Sequence, residues 1–122
     1  IEHKYGKIIN IASMTSFFGS ERIPAYTASK AGIAQLTKAL SNEWARSGVN
    51  VNAIAPGYMA TKLTQDIKEK NPKQYQEITS RIPAGRWGTG EDLKGLAVFL
   101  ASDASAYISG AVIPVDGGYL GK

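Results

Sequence analysis

Cysteine is absent from the 122 residues, and histidine occurs only once, at His3. Without thiols the chain has no disulfide framework and no thiolate-bound metal. A single imidazole excludes histidine-rich metal cages and leaves little basis for a histidine triad, so we expect no metal site. No apolar run approaches the roughly 18 residues of a membrane-spanning helix, and no targeting pattern precedes the first predicted strand. We therefore expect a cytoplasmic protein with no membrane partner.

Positive charge is in modest excess, with 14 lysines and arginines against 10 acidic residues and a net charge of +4. A basic domain is a candidate for nucleic-acid binding. However, the densest basic stretch, residues 62–81, interleaves its cations with Asp66, Glu69 and Glu77. This interleaving is more typical of a solvated helix face than of a phosphate-binding patch. We expect no nucleic-acid partner.

Segments typical of strands and of helices alternate along the chain. Apolar runs at 7–12, 49–55 and 111–115 predict strands that are covered on both faces. Periodic segments at 25–46 and 91–101 predict helices. This order implies right-handed crossovers and parallel strands. The predicted fold class is α/β: half of a doubly wound parallel sheet, with three strands, flanking helices and a bare edge at the first strand.

Helical spacing also groups apolar side chains on one face of a predicted helix. Gly48, just past the first helix, suits a left-handed C-cap. One face of the first helix is predicted to carry Ile33, Leu36, Leu40 and Trp44, and the second helix is predicted to bury in part Leu93, Leu96, Val98 and Leu100.

Residues 61–81 differ from these core elements. The segment is polar, has helical propensity and is interrupted by Asn71 and Pro72. Long polar insertions between core elements commonly form lids or binding segments. We predict an excursion from the core here.

One local pattern combines residues that are suited to acid/base catalysis. Tyr26 and Lys30 are four residues apart on the first predicted helix and so lie on one face, one turn apart. A cation beside a phenol favours the phenolate, which is a competent general base for an alcohol. Ser13 ends the first strand at the sheet edge where this helix begins, so its hydroxyl is a candidate to orient a reacting oxygen.

Each of these residues also has a purely structural interpretation. Ser13 alone would be a strand-ending hydroxyl, and Tyr26 alone a half-buried helix residue. A second tyrosine–lysine pair, Tyr58 and Lys62, has the same spacing but lies in a loop with no matching serine. The spacing by itself is therefore weak evidence for a catalytic site. The strand-end serine and the helix rich in small residues distinguish the first tyrosine–lysine pair from the second.

In combination, these segments resemble the short-chain dehydrogenase/reductase family. The resemblance covers essentially the whole chain, 1–122, which corresponds to the C-terminal half of such an enzyme and so to a partial Rossmann-like domain. It implies that 61–81 is the substrate-binding segment. The matching segments are Asn10-Ile11-Ala12-Ser13, Tyr26-Thr27-Ala28-Ser29-Lys30-Ala31-Gly32, Val51-Asn52-Ala53-Ile54-Ala55-Pro56-Gly57, Ala97-Val98-Phe99-Leu100-Ala101-Ser102 and the ending from Ser109-Gly110 through Val115-Asp116-Gly117-Gly118.

The resemblance implies a role for each catalytic candidate. Tyr26 would be the acid/base, Lys30 would keep it ionisable and hold the nicotinamide ribose, and Ser13 would orient the substrate oxygen. The family's glycine-rich phosphate loop has no counterpart in this sequence. We therefore expect the 122 residues alone to be inactive and not to bind a dinucleotide tightly.

A second set of residues would bind the cofactor. In the family the segment after the second strand lines the nicotinamide, and here the Met59 backbone and the Thr61 hydroxyl would meet its carboxamide. Thr61 has the alternative role of a helix N-cap. We expect NAD, with NADP not excluded. The implied cofactor-binding residues are Tyr26, Lys30, Pro56, Gly57, Met59 and Thr61.

Residues 58–61 and 81–88 resemble the family's bacterial sugar-acid branch. The expected function is hydride transfer between a nicotinamide cofactor and a secondary alcohol or ketone, with a sugar acid such as 2-deoxy-D-gluconate as the substrate. The alternative is a non-enzymatic half-domain that acts only in oligomerisation. The family also implies a homotetramer, in which the helix at 25–46 and the last strand form contacts.

Several side chains have two open interpretations. Arg86 is either a loop-bracing donor or a substrate clamp, with bracing favoured. Small residues narrow one side of the first helix, against either the sheet or a partner: Ala28, Ala31, Gly32 and Ala34. Core packing is favoured over a pocket-lining role for Met14, Phe17, Phe18 and Trp87.

Overall fold

Three apolar segments form a parallel sheet: β1 (Gly6–Ile11), β2 (Val49–Pro56) and β3 (Val112–Val115). The computed structural model describes residues 2–121. The strand order is β1-β2-β3, and both pairings are parallel. Each strand lies within one residue of its prediction at either end. The predicted α/β class, a three-stranded part of a Rossmann-like sheet with flanking helices, is confirmed.

Four α-helices accompany the sheet within the described residues. Pro24 occupies the first turn of the first helix, where its missing N–H needs no partner. Gly48 follows with φ 76°, which confirms the predicted left-handed cap. The helices are α1 (Pro24–Trp44), α2 (Lys62–Lys70), α3 (Pro72–Ser80) and α4 (Gly90–Ala101).

Side chains of β1 show that both faces of the sheet are covered. Asn10 Nδ2 donates to Thr37 Oγ1 of α1 at 3.0 Å. Lys7, which alternates to the opposite face, donates through Nζ to Ser105 Oγ, just after α4, at 3.4 Å. Helix α1 therefore covers one face, and the α4 region covers the other.

The buried side of α1 coincides only in part with the apolar face that the spacing marks. Its fully buried residues are small or polar: Ala34, Thr37 and Ser41. Ile33 does pack on the core, but Leu36 is 47% exposed. The side chains that α1 buries fully are therefore smaller than the apolar ones that its spacing groups on one face.

Helix α4 shows the same kind of difference. Leu100 is buried, as predicted, but Val98 is 69% exposed. The apolar pattern of α4 is therefore wider than the surface that contacts the sheet.

The polar excursion at 61–81 consists of α2 and α3, divided at Asn71 as the sequence predicts. The two helices differ in anchoring: α2 buries no residue, whereas α3 buries Ile78. Trp87 holds α3 in place, stacking on Tyr75 with ring centroids 4.9 Å apart and donating from Nε1 to Thr79 Oγ1 at 2.8 Å. Trp87 is thus a core residue.

The outer edge of β1 pairs with no strand among residues 2–121, as predicted. Ile11, at the end of this strand, is 53% exposed. Among the residues described, no helix is both long and apolar enough to cross a membrane.

Candidate active site

The carboxyl ends of all three strands meet at one edge of the sheet. Ser13 follows β1, Pro56 ends β2 and Asp116 follows β3. The segments that follow β2 and β3 lie very close together, as Gly57 shows: a Cβ added there would be 2.7 Å from the Asp116 Cα. In open α/β sheets this edge is where ligands bind.

Ser13 begins a short 3-10 turn, Met14–Ser16, and is largely buried. Its Oγ accepts a hydrogen bond from the Thr15 backbone N–H at 3.2 Å. A serine hydroxyl can accept and donate at once. The hydroxyl hydrogen of Ser13 therefore stays available for another acceptor.

Ser16 connects this turn to helix α1. Its Oγ accepts from the Ser13 backbone N–H at 3.3 Å and donates to the Lys30 carbonyl at 2.6 Å. One side chain thus links the backbones of two candidate catalytic residues. Our sequence interpretation overlooked Ser16, although the Ser-x-x-Ser spacing was a signal, since it resembles a capping box.

Lys30 lies between Tyr26 and the end of β1. Its Nζ donates to the Ile11 carbonyl at 2.9 Å and is 5.7 Å from the centroid of the Tyr26 ring. Tyr26 is 46% exposed, so its ring is accessible from this edge. The structure therefore brings Tyr26 and Lys30 together and joins the Lys30 turn, through Ser16, to the turn that carries Ser13.

The segment after β2 is fixed by backbone hydrogen bonds. The Gly57 N–H donates to the Val115 carbonyl at 2.9 Å. Around Met59, the Ala60 N–H donates to the Gly88 carbonyl at 2.7 Å, and the two segments form a parallel bridge. Pro56, Gly57 and Met59 thus lie in an ordered loop at the candidate edge.

Thr61 has the N-cap role that was its alternative interpretation. Its Oγ1 accepts from the Thr64 N–H at 3.4 Å, and its own N–H donates to Thr64 Oγ1 at 2.6 Å. Thr61 remains exposed at the start of α2. Its hydroxyl hydrogen is not used by the cap.

A cavity of about 470 Å³ lies between the loop at 18–23 and the excursion. Phe18, Tyr58, Arg22 and Arg81 are among its lining residues. Burial and the neighbouring Tyr119 raise the pKa of Tyr58, and the positive charges of Arg81 and Arg22 oppose that rise.

The four bulky side chains that could either pack in the core or line a pocket differ in their burial. Met14 is buried, as Trp87 is, and both belong to the core. Phe17 is half exposed, and Phe18 lines the cavity, with its ring centroid 6.0 Å from that of Tyr119. Core packing thus holds for two of the four, and a pocket-lining position holds for Phe18.

Arg86 is a loop-bracing residue, as the favoured interpretation had it. Its guanidinium donates to both carboxylate oxygens of Asp92, at 2.9 and 2.8 Å. Asp92 also accepts from the Thr89 N–H at 2.7 Å and so caps α4. These hydrogen bonds, that from Arg86 first, hold the pKa of Asp92 well below its usual value.

The parallel sheet and the helices on both of its faces define part of a Rossmann-like fold. Residues 1–120 match the family model described as enoyl-(acyl carrier protein) reductase. The chain belongs to the short-chain dehydrogenase/reductase family.

Three of the similar proteins are named as dehydrogenases of gluconate or of its deoxy derivatives. A 2-dehydro-3-deoxy-D-gluconate 5-dehydrogenase of Dickeya dadantii is 58% identical over 96% of this chain and 46% of its own length. A crystal structure from Beutenbergia cavernae, assigned as an NAD(P)-dependent gluconate 5-dehydrogenase with NADP bound at low occupancy, is 52% identical with a TM-score of 0.94, covering 99% of this chain and 48% of its own.

Another crystal structure, from Agrobacterium tumefaciens, is assigned as a 2-deoxy-D-gluconate 3-dehydrogenase and holds NADP. It is 53% identical with a TM-score of 0.92, covering 97% of this chain and 48% of its own. The chain thus spans about half the length of the relatives it matches.

Proposed function

We propose that this chain supplies the catalytic half of an NAD(P)-dependent dehydrogenase that interconverts a secondary alcohol and a ketone on a sugar acid. The observation that supports this proposal best is the position of Lys30 Nζ. It is held by the Ile11 carbonyl at the end of β1, 5.7 Å from the Tyr26 ring. A cation, a phenol and a strand-end serine at one sheet edge are suited to acid/base chemistry on an alcohol.

In the oxidation direction Tyr26 accepts the proton of the substrate hydroxyl. The ammonium of Lys30 stabilises negative charge on the phenol oxygen. Ser13 keeps its hydroxyl hydrogen free, because its Oγ accepts from the Thr15 N–H, and it donates this hydrogen to the reacting oxygen. In the reduction direction Tyr26 returns the proton.

The donor set suits the nicotinamide end of a dinucleotide. A nicotinamide, when bound, accepts or supplies the hydride. Lys30 Nζ and the Tyr26 hydroxyl would hold sugar hydroxyls, and the exposed hydroxyl of Thr61 would meet an amide. The loop of Pro56, Gly57 and Met59 would form the adjoining wall. None of these residues selects between NAD and NADP, and the NADP in the two similar structures favours NADP over the NAD that we expected.

The domain assignment follows from the same proposal. Residues 1–122 would be a partial dinucleotide-binding domain, and 61–81 its substrate-binding segment. The cavity between the loop at 18–23 and α3 supports this role for the excursion. A strand contributed from outside residues 2–121 would account for the unpaired edge of β1. None of the relatives reported above has a name that favours the non-enzymatic alternative.

A homotetramer remains a prediction from the family. The face of α1 turned away from the sheet supports it, since Ala28, Gly32 and Leu36 are exposed there. Ala34, by contrast, lies on the side facing the sheet, so the small residues do not form a single stripe. A cytoplasmic location and the absence of a nucleic-acid partner also stay predictions.

The test uses a protein of the relatives' full length that contains these 122 residues, here called the full-length enzyme. Purified enzyme is mixed with NAD or NADP and with sugar acids or neutral secondary alcohols, and the reduced cofactor is followed by absorbance. We expect turnover of a sugar acid and a loss of about 100-fold or more in kcat for Ser13→Ala. The matched control is Ser102→Ala, remote from the site. The proposal fails if no alcohol is oxidised with either cofactor, or if Ser13→Ala and Ser102→Ala behave alike.

A further inference from the structure

The cavity between the loop at 18–23 and the excursion is lined by charged side chains that have no role in the proposed proton transfer. Arg22 and Arg81 both line it, together with Tyr58. Its volume of about 470 Å³ lies within the range of small-molecule sites in proteins. The cavity therefore has room for a small acid with several hydroxyl groups.

The two guanidinium groups act at the same place in this cavity. Arg22, Arg81 and Tyr58 line the same cavity, and the positive charge of each arginine opposes the rise in the pKa of Tyr58. Arg22 is exposed and forms no ion pair within residues 2–121. A guanidinium with unused donors is well matched to a carboxylate, which it can bind through two parallel hydrogen bonds.

The cavity adjoins the start of α1, the helix that carries Tyr26. Its lining reaches Ile23, directly before α1, and Tyr26 lies in the first turn of that helix. A sugar acid that reacts at C5 carries its carboxylate at the opposite end of the carbon chain. A carboxylate in the cavity and a reacting hydroxyl at Tyr26 therefore suit one extended substrate.

We propose that Arg22, with Arg81 in the same cavity, binds the carboxylate of the sugar-acid substrate and sets the preference for acids over neutral polyols. This inference rests on the proposed function. Two carboxylates, Glu21 and Glu77, line the same cavity. Their negative charge weakens the attraction for an anion, so removing one of them strengthens binding of the acid.

The experiment compares an acid with its uncharged amide, gluconate and gluconamide, in the full-length enzyme. A charged hydrogen bond contributes about 10-fold to 100-fold in affinity. We expect Arg22→Gln to raise KM for gluconate by about this factor with little change in kcat. KM for gluconamide should stay within about 2-fold, because the amide carries no charge. Arg22→Lys retains the charge and should recover part of the loss.

Two further variants serve as controls. Arg46→Gln removes an exposed arginine beyond the far end of α1 and should leave both substrates unaffected. Glu77→Gln should lower KM for gluconate, opposite in sign to Arg22→Gln. Equal changes for acid and amide in Arg22→Gln, or an unchanged KM for gluconate, would overturn the assignment of Arg22. A wild-type enzyme that oxidises neutral polyols but no acid contradicts the proposed substrate class as well, so the two failures are distinguishable.

Discussion

Replacement of Ser16 by alanine tests whether the link between the turns that carry the candidate catalytic residues has a functional role. The Ser16 hydroxyl makes two hydrogen bonds, to the Ser13 N–H at 3.3 Å and to the Lys30 carbonyl at 2.6 Å. A hydrogen bond contributes about 0.5–1.5 kcal/mol to stability, so the two together contribute about 1–3 kcal/mol. If this free energy holds the turns in their reactive arrangement, its loss lowers kcat by about 5-fold to 150-fold.

The assay is steady-state kinetics of the full-length enzyme with the substrate that the wild type oxidises. We expect Ser16→Ala to lower kcat while KM for the cofactor changes little, because Ser16 contacts backbone atoms only. Ser16→Thr keeps the hydroxyl and should restore most of the rate. Ser102 is the matched control, since its Oγ also donates to a helix carbonyl, that of Phe99 at 2.8 Å.

Three results would contradict this reasoning. The first is a Ser16→Ala enzyme with the wild-type kcat. The second is a lower melting temperature of Ser16→Ala with an unchanged kcat, which would make Ser16 a purely structural residue. The third is an equal effect of Ser102→Ala on kcat, which would show that the change is not specific to the site.

Two further predictions concern the loops around the site. Gly57→Ala should lower both the melting temperature and the affinity for the cofactor, because its Cβ would be 2.7 Å from the Asp116 Cα; thermal denaturation and a dinucleotide titration measure this, and wild-type values would refute it. Asp92→Asn should lower the melting temperature at neutral pH, since the folded state holds the pKa of this carboxyl below its unfolded value of about 3.9. That stabilisation is complete above the unfolded pKa and is lost as pH falls through the folded pKa. The difference in melting temperature between Asp92→Asn and the wild type should therefore shrink toward acid pH, and a difference that grows would contradict the prediction.

The sequence predicted the features that depend on residues near one another in the chain. Strand β2 was found because an apolar run ended by Pro56 and Gly57 has few alternatives to a buried strand. The relation between Tyr26 and Lys30 follows from helical spacing alone. The place of Ser13 at the end of β1 follows from the same kind of local pattern.

The features that were missed depend on contacts between distant segments. Leu36 and Val98 have the periodicity of buried residues but are exposed, because periodicity marks an apolar face without indicating which surface covers it. The hydrogen bond from Ser16 to the Lys30 carbonyl depends on how the turn after β1 docks on α1. The cavity around Arg22 requires α3 to fold back on the loop at 18–23, which no local pattern predicts.

The central claim is that Tyr26 transfers the proton of the reacting hydroxyl. The most direct measurement is the single-turnover rate of cofactor reduction by full-length Tyr26→Phe, followed by stopped-flow absorbance, with the dissociation constant for the cofactor measured in parallel. We expect the rate to fall by a factor of about 100 or more with little change in cofactor affinity, while Tyr107→Phe, a fully exposed tyrosine, keeps the wild-type rate. A Tyr26→Phe enzyme that reduces the cofactor at the wild-type rate would contradict the account.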